Sequence, residues 1–217
     1  MKAAGAKPDA PNRGLMQRVC EMPRAEDRQS GRTVIYGLSV QSSIGMVVLF
    51  GGPAGAGKST LARAWCATRP QAAHIELDEI RHLIISGLAD PQKANDVQET
   101  QYRLSVEATC VLARAFADGG CDVAIDDVFE PEAFDRYWGP QLDGLSWKLV
   151  IVLPSLDETL ARSAGREKRV MEEHTRTQHA RCENWDVAKR IDTTGLDVTE
   201  SLALVLERLS SQRPAVG

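Results

Sequence analysis

Short apolar runs alternate with longer amphipathic stretches along most of this chain. The runs have the length of β-strands, whereas the stretches repeat apolar residues at the spacing of three and four that an α-helix presents on one face. The pattern predicts strands at 46–50, 73–77, 121–125, 147–153 and 190–192. It predicts helices at 58–68, 78–86, 94–118, 131–142, 155–171 with a continuation toward 184, and 197–209.

The order of these elements predicts the fold class. Consecutive parallel strands need a crossover helix between them, and such helices cover both faces of the sheet. We therefore expect an α/β three-layer sandwich with a five-stranded parallel sheet and helices on both faces. Two helix starts carry the spacing of a capping box, Ser155 with Glu158 and Asp197 with Glu200, which supports those boundaries.

The beginning of the chain lacks this alternation. Residues 1–45 are rich in Ala, Pro, Gly, Arg and Asp without helical or strand periodicity, which predicts a flexible N-terminal extension. Residues 46–210 are predicted to form one domain, because a chain of 217 residues has room for one sizeable core but not for two. Residues 211–217 are expected to form a flexible C-terminal tail.

Composition and charge exclude some partners and locations. The formal net charge of -4 and the pI near 5.6 provide no general attraction to phosphate backbones, so duplex nucleic acid is not an expected partner. No apolar run reaches the roughly 18 residues of a membrane span, and no apolar segment follows the basic residues near the N-terminus as in a secretory signal. Five scattered cysteines without a C-x-x-C pair predict reduced thiols, and together these features predict a cytoplasmic protein without a membrane partner.

The segment 52–59 carries the strongest motif in the chain. It reads Gly-Pro-Ala-Gly-Ala-Gly-Lys-Ser, a full match to G-x-x-x-x-G-K-[ST]. Glycines in such a loop let backbone N–H groups approach a polyphosphate, the lysine contacts the β- and γ-phosphates, and the serine hydroxyl binds Mg²⁺. The predicted nucleotide-binding residues are Gly52, Pro53, Ala54, Gly55, Ala56, Gly57, Lys58, Ser59 and Thr60.

A glycine-rich turn could match this pattern by chance. The strand predicted before the loop and the helix predicted after it argue against that alternative. The motif therefore predicts a P-loop NTPase fold that binds a nucleoside triphosphate together with Mg²⁺. It leaves open the choice between ATP and GTP, and it does not identify the reaction.

Acidic residues follow two later strands, where ligands of a doubly wound sheet collect. Asp126 and Asp127 end an apolar run, so either could hold Mg²⁺, and the alternative is a helix cap or a solvated turn. Asp78 opens a predicted helix and is expected to be the base that accepts a proton from an acceptor hydroxyl, with an N-cap role as the alternative. Arg81 lies one turn further on the same face, so it could orient a substrate, a role we also assign to Asp127.

Arginines recur at helical spacing after the fourth predicted strand. Arg162, Arg166 and Arg169 fall near one face of the predicted helix, and guanidinium groups stabilise the charge of a phosphoryl-transfer transition state. This pattern predicts an arginine-bearing lid, with Arg162 and Arg166 acting in catalysis and all three contacting the nucleotide. The alternative is a solvated helix whose arginines pair with Glu167, Glu172 and Glu173.

Taken together, these motifs resemble the chloramphenicol phosphotransferase-like group of P-loop kinases. The resemblance rests on the loop 51–59, the Asp78 segment, Ala124-Ile-Asp-Asp-Val128, the three lid arginines and Ile191-Asp-Thr-Thr194. More distantly, the chain is similar to gluconate, shikimate and adenylylsulfate kinases and to AAA_33-type ATPases. The resemblance covers about 46–209 and implies a lid, MgATP as donor and a hydroxylated small molecule as acceptor. It also implies that Thr193 and Thr194 belong to the loop near the adenine.

The function predicted from the sequence is phosphoryl transfer from ATP to a small-molecule hydroxyl, on an antibiotic or a metabolite. In this reading Lys58, Asp78, Arg162 and Arg166 are the catalytic residues, and Ser59 with Asp126 or Asp127 holds the metal. One alternative is a nucleotide-binding regulatory module without an acceptor. Another is a kinase of nucleic-acid ends or nucleotide sugars. The oligomeric state stays open.

Overall fold

A computed structural model describes residues 44–91, 93, 95–165, 171–186, 189–212 and 215–216. The strands are β1 Val47–Gly51, β2 Ala72–Glu76, β3 Asp122–Asp126, β4 Ser146–Val152, β5 Arg190–Ile191 and β6 Ala215–Val216. The helices are α1 Lys58–Ala67, α2 Leu77–Arg81, α3 Asp96–Asp118, α4 Leu156–Ala164, α5 Glu172–Glu183 and α6 Val198–Ser211. Nearly all of the predicted N-terminal extension lies outside the described residues.

The sheet has the predicted parallel arrangement. Its strand order is β2-β3-β1-β4-β5, and each neighbouring pair along this path is parallel. Because β1 lies in the centre, the loop that follows it opens between the carboxyl ends of β3 and β4. This is the position where ligands bind in open parallel sheets.

Two apolar layers cover the two faces of the sheet. Alternate residues of β1 point to opposite sides, with Val47 and Leu49 in one layer and Val48 and Phe50 in the other. The first layer packs against α3 and the segment after β3, and the second packs against α1 and α6. The three-layer sandwich predicted from the sequence is therefore confirmed.

Three predicted helices differ from the structure. The helix expected at 155–171 ends at Ala164, with Gly165 as its C-cap, and α5 is a separate helix whose N-cap is Met171. The helix expected at 78–86 ends at Arg81, and the exposed Leu83 and Ile85 follow it in irregular backbone.

The helix expected at 131–142 is divided into three short pieces. They are an α-helical turn at Pro131–Ala133, a π-helix at Phe134–Trp138 and a 3-10 helix at Gly139–Gln141, and Phe134 and Trp138 are buried. At 131–142 the burial of Phe134 and Trp138 overrides local helical propensity.

Two residues of the predicted C-terminal tail form a strand. Ala215–Val216 pairs antiparallel with Ser146 and Trp147 at the start of β4, whereas β5 pairs only with Ile151 and Val152. The start of β4 therefore pairs with β6, and its end pairs with β5, on the side of the strand that faces away from β1. No helix in the described part of the chain is long and apolar enough to cross a membrane.

Candidate active site

The phosphate loop joins β1 to α1 in a glycine-rich turn. Gly55 and Gly57 have φ values of +88° and +96°, and Gly57 is the residue that precedes the first turn of α1. A Cβ atom on Gly55 would lie 2.5 Å from the carbonyl oxygen of Thr159 in α4. Position 55 therefore requires glycine for two reasons, its backbone conformation and the close approach of α4.

Lys58 is folded back over the loop that precedes it. Its side chain is buried, and Nζ donates a hydrogen bond of 3.0 Å to the carbonyl oxygen of Pro53. The loop is also tied to α5, because the backbone N–H of Ala54 donates to Oε1 of Gln178 at 3.0 Å. These contacts hold the ammonium group beside the loop amides, where both can face a polyphosphate.

Asp126 lies beside the serine of the loop. The Ser59 hydroxyl donates to Oδ1 of Asp126 at 3.1 Å, and Nε2 of His74 lies 2.6 Å from Oδ2 of the same carboxylate. A hydroxyl and a carboxylate oxygen in this arrangement are donors that suit Mg²⁺. His74, Glu76 and Asp126 also bring ligand atoms within 4.8 Å of one another.

Asp127 has different neighbours, although it is the next residue. The Tyr102 hydroxyl in α3 donates to Oδ2 of Asp127 at 3.0 Å, and Nε1 of the buried Trp138 donates to the Tyr102 oxygen at 3.0 Å. Burial raises the pKa of Asp127 to about 7, and the negative charge of Asp78 acts in the same direction. Hydrogen bonds from the Val128 backbone and from Tyr102 oppose this shift.

Asp78 and Arg81 lie on the short helix α2 that follows β2. The Asp78 side chain is 70% exposed, whereas the Arg81 side chain is 9% exposed. Nη1 of Arg81 lies 3.9 Å from Oδ1 of Asp78. Nε and Nη2 of Arg81 are buried and have no hydrogen-bond partner among the described residues.

A cavity of about 1210 Å³ joins these groups. Its lining includes the loop residues Ala54, Lys58, Ser59 and Thr60 together with Asp78, Arg81, Tyr102, Asp126 and Asp127. A volume of this size exceeds that of an ordinary ligand pocket, so it has room for a nucleotide phosphate chain and a second molecule. The sequence predicted that the phosphate loop and Asp78 belong to one site, and in the structure both line this cavity.

Other predicted residues lie outside this cavity. Nη1 of Arg162 lies 3.8 Å from the position of a Cβ on Gly57, and the guanidinium pairs with Glu158 one turn earlier in α4. Thr193 is buried, and Thr194 lines a second cavity of about 450 Å³ and accepts a hydrogen bond from the Ser155 backbone. The lid arginines Arg166 and Arg169 fall outside the described residues, so the predicted lid stays a prediction.

The sequence did not identify three contact residues of the site. Tyr102, His74 and Gln178 touch Asp127, Asp126 and the loop backbone, respectively. Each lies far along the chain from its partner, and none belongs to a recognisable motif. Tyr102 alone had a local signal for a polar contact, because its hydroxyl lies at the end of an aromatic side chain on a largely apolar helix face.

Comparison with known proteins identifies relatives of this fold. The profile of the AAA_33 family, described as an AAA domain, matches residues 47–185. A search of curated proteins returns no significant match. The tunicamycin resistance protein of Deinococcus radiodurans superimposes with a TM-score of 0.59 at 20% identity, covering 80% of this chain and 99% of that one.

Two further solved structures are similar to the chain. A sugar kinase from a Janibacter species gives a TM-score of 0.56 at 16% identity, over 76% of this chain and 94% of that one. APS kinase of Mycobacterium tuberculosis, solved with AMPPNP and APS, gives 0.55 at 16% identity, over 77% and 98%. At these identities the similarity shows a shared P-loop kinase fold.

Proposed function

Given that this chain belongs to the AAA_33 family of AAA domains, we propose that it is a phosphotransferase that moves the γ-phosphoryl group of MgATP to a hydroxyl of a small molecule. The observation that supports this proposal is the single cavity that contains both the phosphate loop and the carboxylates of Asp78 and Asp127. A nucleotide held by the loop would leave the opposite wall of the cavity for an acceptor. We place the activity in the cytoplasm, where ATP and Mg²⁺ are abundant.

On the donor side, the loop would bind the triphosphate. Backbone N–H groups of the loop and the Lys58 ammonium would compensate the phosphate charge, and Ser59 with Asp126 would hold Mg²⁺, which would supply charge neutralisation at the triphosphate. Arg162, whose Nη1 lies 3.8 Å from the position of a Cβ on Gly57, would add a guanidinium there. The geometry favours Asp126 over Asp127 for the metal, because Asp126 contacts Ser59.

On the acceptor side, Asp78 would accept the proton of the attacking hydroxyl. The hydroxyl oxygen forms a bond to the γ-phosphorus, and the bond from this phosphorus to the β–γ bridging oxygen breaks, so that ADP leaves. Asp127 faces the same space and would orient the hydroxyl. Positioning and electrostatic stabilisation account for most of the rate in this class of reaction.

Known relatives support an acceptor that is a small molecule. The similar structures include a sugar kinase, an APS kinase and a tunicamycin resistance protein, and an acceptor of comparable size fits the cavity described above. An antibiotic or a metabolite with a free hydroxyl is the class we propose, as in chloramphenicol phosphotransferase-like enzymes. The cavity walls carry polar and charged groups, which favours a polar acceptor.

The test is a screen for acceptor-dependent release of ADP. Purified full-length protein is incubated with MgATP and a library of hydroxyl compounds, and mass spectrometry checks each hit for one added phosphoryl group. Lys58→Ala serves as the background control, because it removes the charge that contacts the phosphates. At least one compound should stimulate ADP release and gain a phosphoryl group; a slow, acceptor-independent ATPase would instead favour a regulatory module.

A further inference from the structure

Gln178 in α5 is bonded to the phosphate loop through only one atom of its carboxamide. The residue is 8% exposed, and its Oε1 accepts the backbone N–H of Ala54 at 3.0 Å. Because a backbone N–H can only donate, the atom that faces Ala54 must be the oxygen, and this fixes the orientation of the carboxamide. Nε2 has no acceptor within the described part of the chain.

Gln101 in α3 makes the same kind of loop contact with both of its polar atoms satisfied. Its Oε1 accepts the backbone N–H of Ala89 at 2.8 Å, and its Nε2 donates to the carbonyl oxygen of Gly87 at 2.8 Å. A buried amide donor without a partner carries a desolvation penalty. Unlike the partnerless nitrogens of Arg81, Nε2 of Gln178 is not sealed from solvent, and Gln178 lines the large cavity. A ligand in the cavity can therefore reach this donor.

One polar face of α5 forms a wall of the cavity. His174, Gln178 and Arg181 follow one another at spacings of four and three residues, which places them on the same side of the helix, and all three line the cavity. Arg181 pairs with Glu130, which follows β3, so its charge already has a partner. Gln178 lies between the other two and bonds to the phosphate loop. The donor that α5 offers beside the loop is thus a neutral amide.

The neighbours of this amide identify the part of the nucleotide that it faces. Nζ of Lys58 donates to the carbonyl oxygen of Pro53, the residue before Ala54, so the ammonium and the Gln178 carboxamide attach to adjacent loop residues. Burial raises the pKa of the Cys182 thiol, one turn further along α5, to about 12, and the nearby Lys58 charge opposes this rise. In this motif the loop amides enclose the α- and β-phosphates, whereas the lysine reaches the β- and γ-phosphates. The group left for Nε2 is the γ-phosphoryl group.

We propose that Gln178 is a further catalytic residue, which accepts the Ala54 N–H through Oε1 and donates from Nε2 to an oxygen of the γ-phosphoryl group during transfer. The inference rests on the proposed function and adds a neutral donor to Lys58. Negative charge is spread over the γ-phosphoryl oxygens in the transition state, and amide donors that are already fixed in place stabilise such charge. No proton leaves the amide, so the bonds formed and broken are those of the transfer described above.

Two nucleotides that differ by the γ-phosphate test this contact without an acceptor. Calorimetry measures the affinities for MgAMPPNP and MgADP, and their ratio reports contacts with the γ-phosphate. Gln178→Met removes both polar atoms, whereas Gln178→Glu keeps an oxygen for Ala54 and replaces Nε2 with a charged oxygen. MgAMPPNP should weaken relative to MgADP by about tenfold or more in Gln178→Met, as expected for a lost hydrogen bond to a charged group. The ratio should fall further in Gln178→Glu, because two negative groups would face each other.

Gln101→Met is the matched control. It removes a carboxamide that bonds to another loop, so the ratio of the two affinities should equal that of wild type. A purely structural role for Gln178 predicts a different result, with both nucleotides weakened equally in Gln178→Met and bound normally in Gln178→Glu, which keeps the bond to Ala54. A wild-type ratio in both Gln178 variants would overturn the proposal. No binding of either nucleotide by wild type would refute the phosphotransferase proposal as well.

Steady-state kinetics with an acceptor found in the screen distinguishes the transferring group from the acceptor. Gln178→Met should lower kcat by at least about tenfold and leave the KM for the acceptor within about threefold of wild type, because the lost donor acts on the phosphoryl group in the transition state. A raised KM for the acceptor with an unchanged kcat would assign Gln178 to the acceptor and overturn the proposal. If no compound gains a phosphoryl group, the phosphotransferase proposal fails, whereas the ratio of nucleotide affinities still decides the contact of Gln178.

Discussion

Asp126 and Asp127 are consecutive residues whose carboxylates contact different parts of the site. Asp126 accepts a hydrogen bond from Ser59 of the phosphate loop, whereas Asp127 accepts one from Tyr102 of α3. This difference follows from the position of the pair, since β3 ends at Asp126 and side chains alternate in direction along a strand. The two aspartates are therefore expected to respond differently to substitution.

Substitutions on the donor side should remove the effect of Mg²⁺ on ATP binding. Ser59→Ala deletes a hydroxyl oxygen that we assign to the metal, and Asp126→Asn replaces a charged carboxylate by a neutral amide. Even the loss of residues that only support metal ligands typically costs about 10- to 100-fold in metal affinity or activity, so we expect at least that effect here. ATP affinity is measured by calorimetry with Mg²⁺ and with a chelator. Asp127→Asn should keep the wild-type Mg²⁺ effect; a loss as large as that of Asp126→Asn would contradict the assignment.

The sequence predicted this part of the site only in outline. The loop 52–59 and the acidic residues after β3 were recognisable, because a local motif and an apolar run mark them. The different contacts of Asp126 and Asp127 were not recognisable in the sequence, because the contact of Asp127 is with Tyr102, which lies 25 residues away in α3. Arg81 was placed near Asp78 by helical spacing, but its burial comes from the tertiary structure around the short helix α2.

Asp127 should make the stability of the protein depend on pH. Burial raises its folded-state pKa from 3.8 to about 7, so the folded state binds the proton more tightly than the unfolded state does. The resulting stabilisation is complete below pH 3.8 and is lost as the pH rises toward about 7. The melting temperature of wild type should thus fall relative to that of Asp127→Asn as the pH rises through this window.

Tyr102→Phe provides a check on the cause of this effect. The Tyr102 hydroxyl donates to the charged carboxylate, so its removal should raise the pKa of Asp127 further and extend the pH-dependent loss of stability to higher pH. Tyr137→Phe is the matched control, since Tyr137 packs edge-on against Tyr102 but donates its hydroxyl to Glu99. Identical pH profiles for the two variants would contradict the role of Tyr102.

Gly55→Ala should disrupt the phosphate loop. The new Cβ would lie 2.5 Å from the Thr159 carbonyl, and the backbone at φ +88° disfavours any side chain. Gly87→Ala has a similar φ of +77° but open space around the Cβ, so it isolates the backbone cost of about 1 kcal/mol. Chemical denaturation should show a larger loss for Gly55→Ala, together with weaker ATP binding; equal losses would contradict the close approach of α4.

The five parallel strands could be predicted from the sequence more easily than the short strand β6 or the end of helix α2. Apolar runs of strand length fixed the five parallel strands to within about two residues, as expected for strongly patterned segments. β6 was missed, because Ala215–Val216 is too short to carry a pattern and pairs only with a free edge of β4. The break after Arg81 was missed as well, since Leu83 and Ile85 continue the apolar content of the helix although the structure exposes them.

The most direct test of the central claim measures nucleotide binding and phosphoryl transfer separately in Asp78→Asn. Asp78 lines the cavity, and we propose that it contacts the acceptor and not the nucleotide, so the variant should bind MgAMPPNP within about threefold of wild type. Phosphoryl transfer to an acceptor found in the screen should fall by at least about 100-fold, because a general base typically contributes that much. Transfer at the wild-type rate in Asp78→Asn, or no measurable binding of the triphosphate by wild type, would contradict the account.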